Sequence, residues 1–301
     1  MTATVSVAVP RKGRPLEAVL ERLAARTGDT DLADDVISTL RYEKAITKGA
    51  KREHRDVYQR LRAYSDIESA TAPEYTLLRD DREGFPRRVV FDSVTFATDD
   101  LRIRLVGREE PFRSLRTHSF ALGFDSADLV LEEVVGLTAD PLEDLSGVNE
   151  RIDPHDTDVR VVTGLGDTVY HTLMGTPDAI DAGGGSPLDR EFLADYAGDL
   201  CISPRYERLV EAVLGTDVVE DLTFTYAAED REEEAAIAAS GLGVYLTMSG
   251  STARDHGLEL GERLFPSETV LMANTAETDD AAERAIDLFE TSDLDSELVV
   301  Q

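Results

Sequence analysis

Leu242-Gly243-Val244-Tyr245-Leu246-Thr247-Met248-Ser249-Gly250-Ser251-Thr252-Ala253-Arg254-Asp255-His256-Gly257-Leu258 decides how the fold is read. Leu242 to Thr247 reads as a buried strand, Ser249 to Thr252 as a corner of small residues, and the stretch after that corner as a helix running through His256 and Leu258. The first turn of a helix carries backbone N–H groups with no internal partner, and the helix dipole adds positive potential there. Gly250 lets an anion come close to the backbone, and the hydroxyls of Ser249, Ser251 and Thr252 can donate further hydrogen bonds. These four residues are therefore candidates for binding phosphate. The plainer reading of Ser251 or Thr252 is a helix cap.

Working outward, the same alternation of strand and helix recurs. Val5, Val7 and Val9 lie at period two, followed by a Pro10–Pro15 loop and then Leu16, Val19, Leu20 and Leu23 at helical spacing. Strands are expected at 87–97, 101–106, 120–124, 159–163, 200–203, 222–226 and 268–273. Helices are expected from Asp128, from Pro204, after the acidic start 229–234, and over 281–289, with a frayed tail from Thr291. This pattern favours an α/β protein with mostly parallel sheet. The polar stretch 140–158 is the first candidate crossover, and Gly183-Gly184-Gly185-Ser186-Pro187 reads as a surface turn.

The chain has 301 residues, enough to bury a large core without staples. Asp and Glu number 61 against 31 Lys and Arg, a net charge of -30, yet 42% of the residues are hydrophobic, which argues for a folded chain. Only four of the basic residues are lysines: Lys12, Lys44, Lys48 and Lys51. Such a surface suits concentrated salt, where the Debye length falls to ~3 Å and self-repulsion is screened. It argues against a general nucleic-acid surface, which needs a basic face. The single cysteine, Cys201, excludes an internal disulfide, and no stretch approaches the ~20 apolar residues of a membrane span. A cytoplasmic protein is expected.

One segment runs against the charge background. From Arg41 to Arg62 there are eight basic residues and three acidic ones, a balance of +5. In high salt, an exposed basic surface gains little from long-range attraction, so the segment points to close contact with a polyanion or an acidic partner; an ordinary solvated helix face is the alternative. Arg11, Lys12 and Arg14 add positive charge just after the first strand, where α/β proteins present ligand groups. The five histidines show no metal-ligand spacing, and no serine sits in a nucleophile elbow, so the metal ligands are unknown and covalent catalysis is unsupported.

Together these motifs resemble the catalytic region of ATP phosphoribosyltransferase, as a divergent haloarchaeal-type member. Residues 7–16 are similar to the family's opening strand and Pro-Lys-Gly-Arg-Leu loop, and 120–130 to its Asp-Leu-Gly-Ile-Thr-Gly-x-Asp segment. Residues 249–258 are similar to its Thr-Gly-Ser/Thr-Thr-Leu-Arg-x-Asn-Gly-Leu phosphoribosyl-phosphate loop, and Ile202 to Tyr206 to its Ala-Thr-x-Tyr-Pro helix entry. The resemblance implies a two-lobed α/β fold like the type II periplasmic binding proteins, with mixed, mostly parallel sheets and a cleft between lobes. Lobe I would comprise 1–157 plus 263–301, with a basic insertion at about 41–64, and lobe II 158–262.

The implied activity is condensation of ATP with phosphoribosyl pyrophosphate, the first step of histidine biosynthesis, with Mg2+. Ser249, Gly250, Ser251 and Thr252 would hold the 5-phosphate. Lys12 and Arg14 would line the cleft, and Glu232 falls where the family keeps a glutamate. A homo-oligomer or hetero-complex is expected. The sequence departs from the family at Tyr245 and Gly241, both acidic positions in the pattern, and loses the glycine and serine before Glu232. The departures support the alternative of a catalytically silent homologue that binds a nucleotide or phosphorylated ligand as a sensor or regulatory subunit.

Overall fold

Val5, Val7, Ala8 and Val9 are all buried, because the strand they form is central and covered on both faces. The computed structural model describes residues 2–66, 68–69, 71–80, 86–185, 187–227 and 232–290. In chain order the elements begin β1 (Ala3–Pro10), α1 (Arg14–Thr27), α2 (Thr30–Thr47), α3 (Val57–Tyr64), β2 (Glu74–Arg79), β3 (Arg87–Ala97) and β4 (Leu101–Arg108). Next come α4 (Pro111–Arg116), β5 (Leu122–Ser126), α5 (Ala127–Glu133), β6 (Val159–Gly164), β7 (Val169–Gly175), α6 (Pro177–Ala182) and α7 (Arg190–Asp195). After these stand β8 (Gly198–Ile202), α8 (Glu207–Leu214), α9 (Thr216–Val219), β9 (Leu222–Tyr226), α10 (Glu233–Ser240) and β10 (Leu242–Thr247). The last are α11 (Ser251–Asp255), β11 (Glu259–Ser267), β12 (Thr269–Asn274) and α12 (Asp280–Glu290). The expected fraying from Thr291, and Glu229 to Arg231 of the acidic helix start, lie outside the described residues.

The chain divides into two compact units. The first comprises 1–125, 158–165 and 269–301, and the second 126–157 and 166–268. Residues 126–157, which the sequence reading assigns to the first lobe, thus pack in the second unit, because α5 lies against α8. Conversely, 158–165 join the first unit through the pairing of β6 with β12.

The first unit holds a seven-stranded sheet in the order β2-β3-β4-β1-β5-β12-β6. Parallel pairs of β1 with β4 and β5 form its centre, and antiparallel pairs of β2 with β3, β3 with β4 and β12 with β6 flank them. Short connections such as 98–100 permit only antiparallel neighbours, which is why the flanks depart from the parallel pattern. Leu16, Val19, Leu20 and Leu23 of α1 pack with Val36, Ile37 and Leu40 of α2 against Phe91 and Leu105 of the sheet.

The second unit holds a five-stranded mixed sheet in the order β11-β7-β10-β8-β9. β10 lies antiparallel to β7 and parallel to β8. The helix expected to run through His256 and Leu258 stops at Asp255, and β11 begins at Glu259. Gly257 at φ +74° supplies the left-handed residue that ends the helix, and buried Leu258 anchors the chain as it turns into the strand.

Candidate functional site

The Ser249–Thr252 corner forms the turn between β10 and α11. Tyr245 and Thr247 of β10 pair with Thr172 and Tyr170 of β7, and this fixed strand delivers the chain to Ser249. Gly250 takes φ +66°, a left-handed conformation natural to glycine, and caps the start of α11. A Cβ at this position would collide with Leu260 Cδ1, so the close packing of β11 is a second reason for glycine. Ser249, Ser251 and Thr252 are exposed while Gly250 is buried. Ser249 Oγ lies 3.1 Å from Ser251 Oγ, and Arg254 Nη2 donates to the Ser249 carbonyl at 2.9 Å, which stiffens the turn. No side-chain hydrogen bond caps α11, so the capping reading of Ser251 and Thr252 does not describe this corner.

Glu232 stands just ahead of α10, and its Oε2 lies 3.2 Å from Nε2 of His256, at the end of α11. The contact joins the predicted glutamate to the helix that follows the Ser249–Thr252 corner, a pairing that the sequence did not reveal. Tyr245 is half-buried, and burial together with the charges of Glu233 and Glu234 and a hydrogen bond to Glu233 pushes its phenol up to about 12. A neutral phenol therefore occupies the position where the family pattern has a carboxylate. Gly241, the other departure, ends α10 at φ +105°.

The second unit also holds a polar cluster that sequence reading missed. His171 Nε2 is 3.1 Å from Asp128 Oδ1, and Ser267 Oγ donates to Asp128 Oδ2 at 2.9 Å. All three residues are buried, and the His171 ring meets Tyr206 edge-on at 5.0 Å. Burial alone would push the Asp128 carboxyl up, but the bonds from His171, Ser267 and Ser126 more than offset it and hold the group below the usual carboxylate range. Glu132 accepts from the Leu209 amide at 3.0 Å and thereby tethers the start of α8. Cys201 is buried, and burial pushes its thiol up, so it remains a poor nucleophile.

In the first unit, the cations after β1 divide. Arg11 is committed to the protein: it meets Asp92 at 3.0 Å and Glu109 at 3.3 Å and donates to the Phe91 carbonyl. Lys12 is exposed, and Arg14 opens α1 half-buried. The basic segment 41–64 is likewise no uniform charged face. Arg60 is buried against Glu43, with Nε to Oε1 at 2.7 Å and Nη2 to Oε2 at 3.1 Å, and Tyr64 donates to the same carboxylate. Arg55 pairs with Glu53 at 3.1 Å, and Lys51 sits 4.1 Å over the Tyr42 ring. Lys12 and Arg14 thus belong to the first unit, and Glu232 and the Ser249–Thr252 corner to the second.

The sequence model of halobacterial ATP phosphoribosyltransferase matches residues 1–300. The chain belongs to this family. No curated protein matches the chain. Among solved structures, the ATP phosphoribosyl transferase (HisG:HisZ) complex from Thermotoga maritima is similar at 15% identity over 95% of each chain, with a TM-score of 0.43. The periplasmic VFT2 domain of BvgS from Bordetella pertussis is similar at 13% identity, over 96% of this chain and 88% of that one, with a TM-score of 0.37. The reduced regulatory domain of OxyR2 from Vibrio vulnificus is similar at 15% identity, over 64% and 80%, with a TM-score of 0.34. Membership supports a phosphoribosyltransferase-like function at family level and a connection with histidine biosynthesis. Among the described residues no helix is long and apolar enough to cross a membrane, and no group of three or more His, Cys, Asp or Glu could hold a metal ion.

Proposed function

We propose that the chain condenses ATP with phosphoribosyl pyrophosphate: N1 of the adenine attacks the anomeric carbon and pyrophosphate leaves. The observation that carries this reading is the exposed Ser249–Thr252 corner, with Gly250 at φ +66°, in a chain that the family matches over 1–300. The hydroxyls of Ser249, Ser251 and Thr252 and the first-turn amides of α11 hold the 5-phosphate, an anchoring role that leaves the chemistry to positioning and charge. Lys12 and Arg14 neutralise the polyphosphate charge, and Glu232 accepts from a sugar hydroxyl. Mg2+ enters as the counter-ion of the substrate phosphates, where this ion commonly resides. The same proposal places the protein in the cytoplasm, in concentrated salt, as a homo-oligomer or hetero-complex.

A second reading, a silent homologue that binds a nucleotide or phosphorylated ligand, is favoured by Tyr245. A neutral phenol cannot supply the charge of a carboxylate to a ribose diol. Thermal shift with phosphoribosyl pyrophosphate and Mg2+, then with ATP, in molar potassium chloride, alongside pyrophosphate release, separates the two. Stabilisation with turnover supports the transferase, and stabilisation without turnover selects the sensor. No stabilisation by either compound removes both readings.

A further inference from the structure

β9 is an end strand of the second unit's sheet, and it pairs parallel to β8 along its whole length from Leu222 to Tyr226. Among the described residues it is the one strand that buries none of its residues. Leu222 and Phe224 are half-buried, and Tyr226 is 49% exposed. A strand of apolar and aromatic residues left in this state by its own chain has surface still to cover.

The other strands at the ends of the two sheets are blunted against pairing. β2 carries Glu74 and Arg79, and β6 carries Arg160. β11 carries Glu259, Glu262 and Arg263, and its register against β7 shifts twice. Charges and bulges of this kind keep stray strands from exposed edges. Leu222-Thr223-Phe224-Thr225-Tyr226 has neither, in a chain of which 31% is charged.

We infer that β9 pairs antiparallel with β9 of a second copy about a twofold axis at Phe224, joining two five-stranded sheets into one. Successive side chains of a strand point to opposite faces. Tyr226 donates to Glu207 at the start of α8, whereas Thr225 Oγ1 lies 3.3 Å from Ser240 Oγ of α10, so the α8 face carries Leu222, Phe224 and Tyr226. Centred on Phe224, the register sets that ring against its own copy and Leu222 against Tyr226 on this face, and Thr223 against Thr225 on the other. Aromatic, aliphatic–aromatic and Thr–Thr pairs are among those that stabilise neighbouring strands. The charges agree, because Asp221 falls opposite Ala227, so no two carboxylates within 221–227 stand directly opposed. The inference deepens the homo-oligomer part of the proposed function, on which it rests, by naming the surface and the partner.

The test is sedimentation equilibrium of the full chain in potassium chloride. A dimer is expected, and it should tighten as the salt rises, because each copy carries a net charge of -30 and the strands meet without ion pairs. Phe224→Asp sets two like charges face to face, and Thr223→Lys puts a lysine on the edge at an exposed position. Each is expected to weaken the dimer by at least about tenfold, with circular dichroism reporting the fold, and Thr223→Lys decides if Phe224→Asp unfolds. The register is read by mixing Leu222→Cys with Tyr226→Cys under oxidation. A covalent dimer is expected in the mixture and in neither variant alone, and Cys201, being buried, is expected to leave the parent uncrosslinked. A dimer that survives Thr223→Lys, that loosens as salt rises, or that gives no crosslink on mixing overturns the β9 pairing and leaves the homo-oligomer reading standing. A monomer at every concentration overturns both. Pyrophosphate release tests the transferase chemistry separately from either.

Discussion

His171 and Asp128 meet at 3.1 Å in the interior of the second unit, joining β7 to α5. The folded carboxyl titrates below its ordinary value of 3.8. A depressed folded pKa gives stability that is fully present above the unfolded value and is lost as the pH falls through the folded one. The contribution of Asp128 to stability should therefore be lost only below about pH 4. Asp128→Asn should flatten that dependence, as measured by urea midpoints across an acid series.

The Ser249–Thr252 corner should respond to loss of its hydroxyls. Ser251→Ala and Thr252→Val are each expected to weaken phosphoribosyl pyrophosphate by about tenfold with an unchanged melting point in the absence of ligand, since both side chains are exposed. Equilibrium binding beside the melting curve checks this.

Gly250 is a poorer probe of ligand binding, because its substitution strikes the fold as well. Gly250→Ala is expected to lower stability by about 1–2 kcal/mol from the left-handed backbone alone, with the Leu260 collision added. Leu260→Ala should recover the collision part only. A double-mutant cycle in denaturant measures the coupling.

The bidentate Glu43–Arg60 pair is buried on both sides. Glu43→Ala should cost about 3–5 kcal/mol by stranding the guanidinium, whereas replacing both by methionine should cost less. Chemical denaturation of the three proteins distinguishes the burial of a lone charge from loss of the pair itself.

Legibility in the sequence tracked how local each feature is. β3, β9 and β10 carry continuous or alternating apolar residues, and the structure gives them the bounds expected for each. β7 escaped notice because His171 and Thr172 interrupt its apolar run, and both are buried by partners far away in the chain. β11 escaped because Glu259, Glu262 and Arg263 read as surface, while its pairing with β7 is long-range. The Ser249–Thr252 turn was readable because all its residues are neighbours in the chain. The Asp128–His171–Ser267 cluster was not, since its members lie 43 and 139 positions apart. For the same reason, Lys12 could not be seen from spacing to share a cavity with Lys44 and Lys48.

The place of β12 between β5 and β6 bears on biosynthesis. A ribosome releases β1 to β5 early, then the second unit with β6 between its two stretches, and only afterwards the strand that closes the gap. Throughout that interval β5 presents an open hydrogen-bonding edge, the kind of surface that recruits stray strands from neighbouring chains. A nascent polypeptide stalled at residue 268 would expose it permanently, so the final stretch of translation decides whether the product stays soluble.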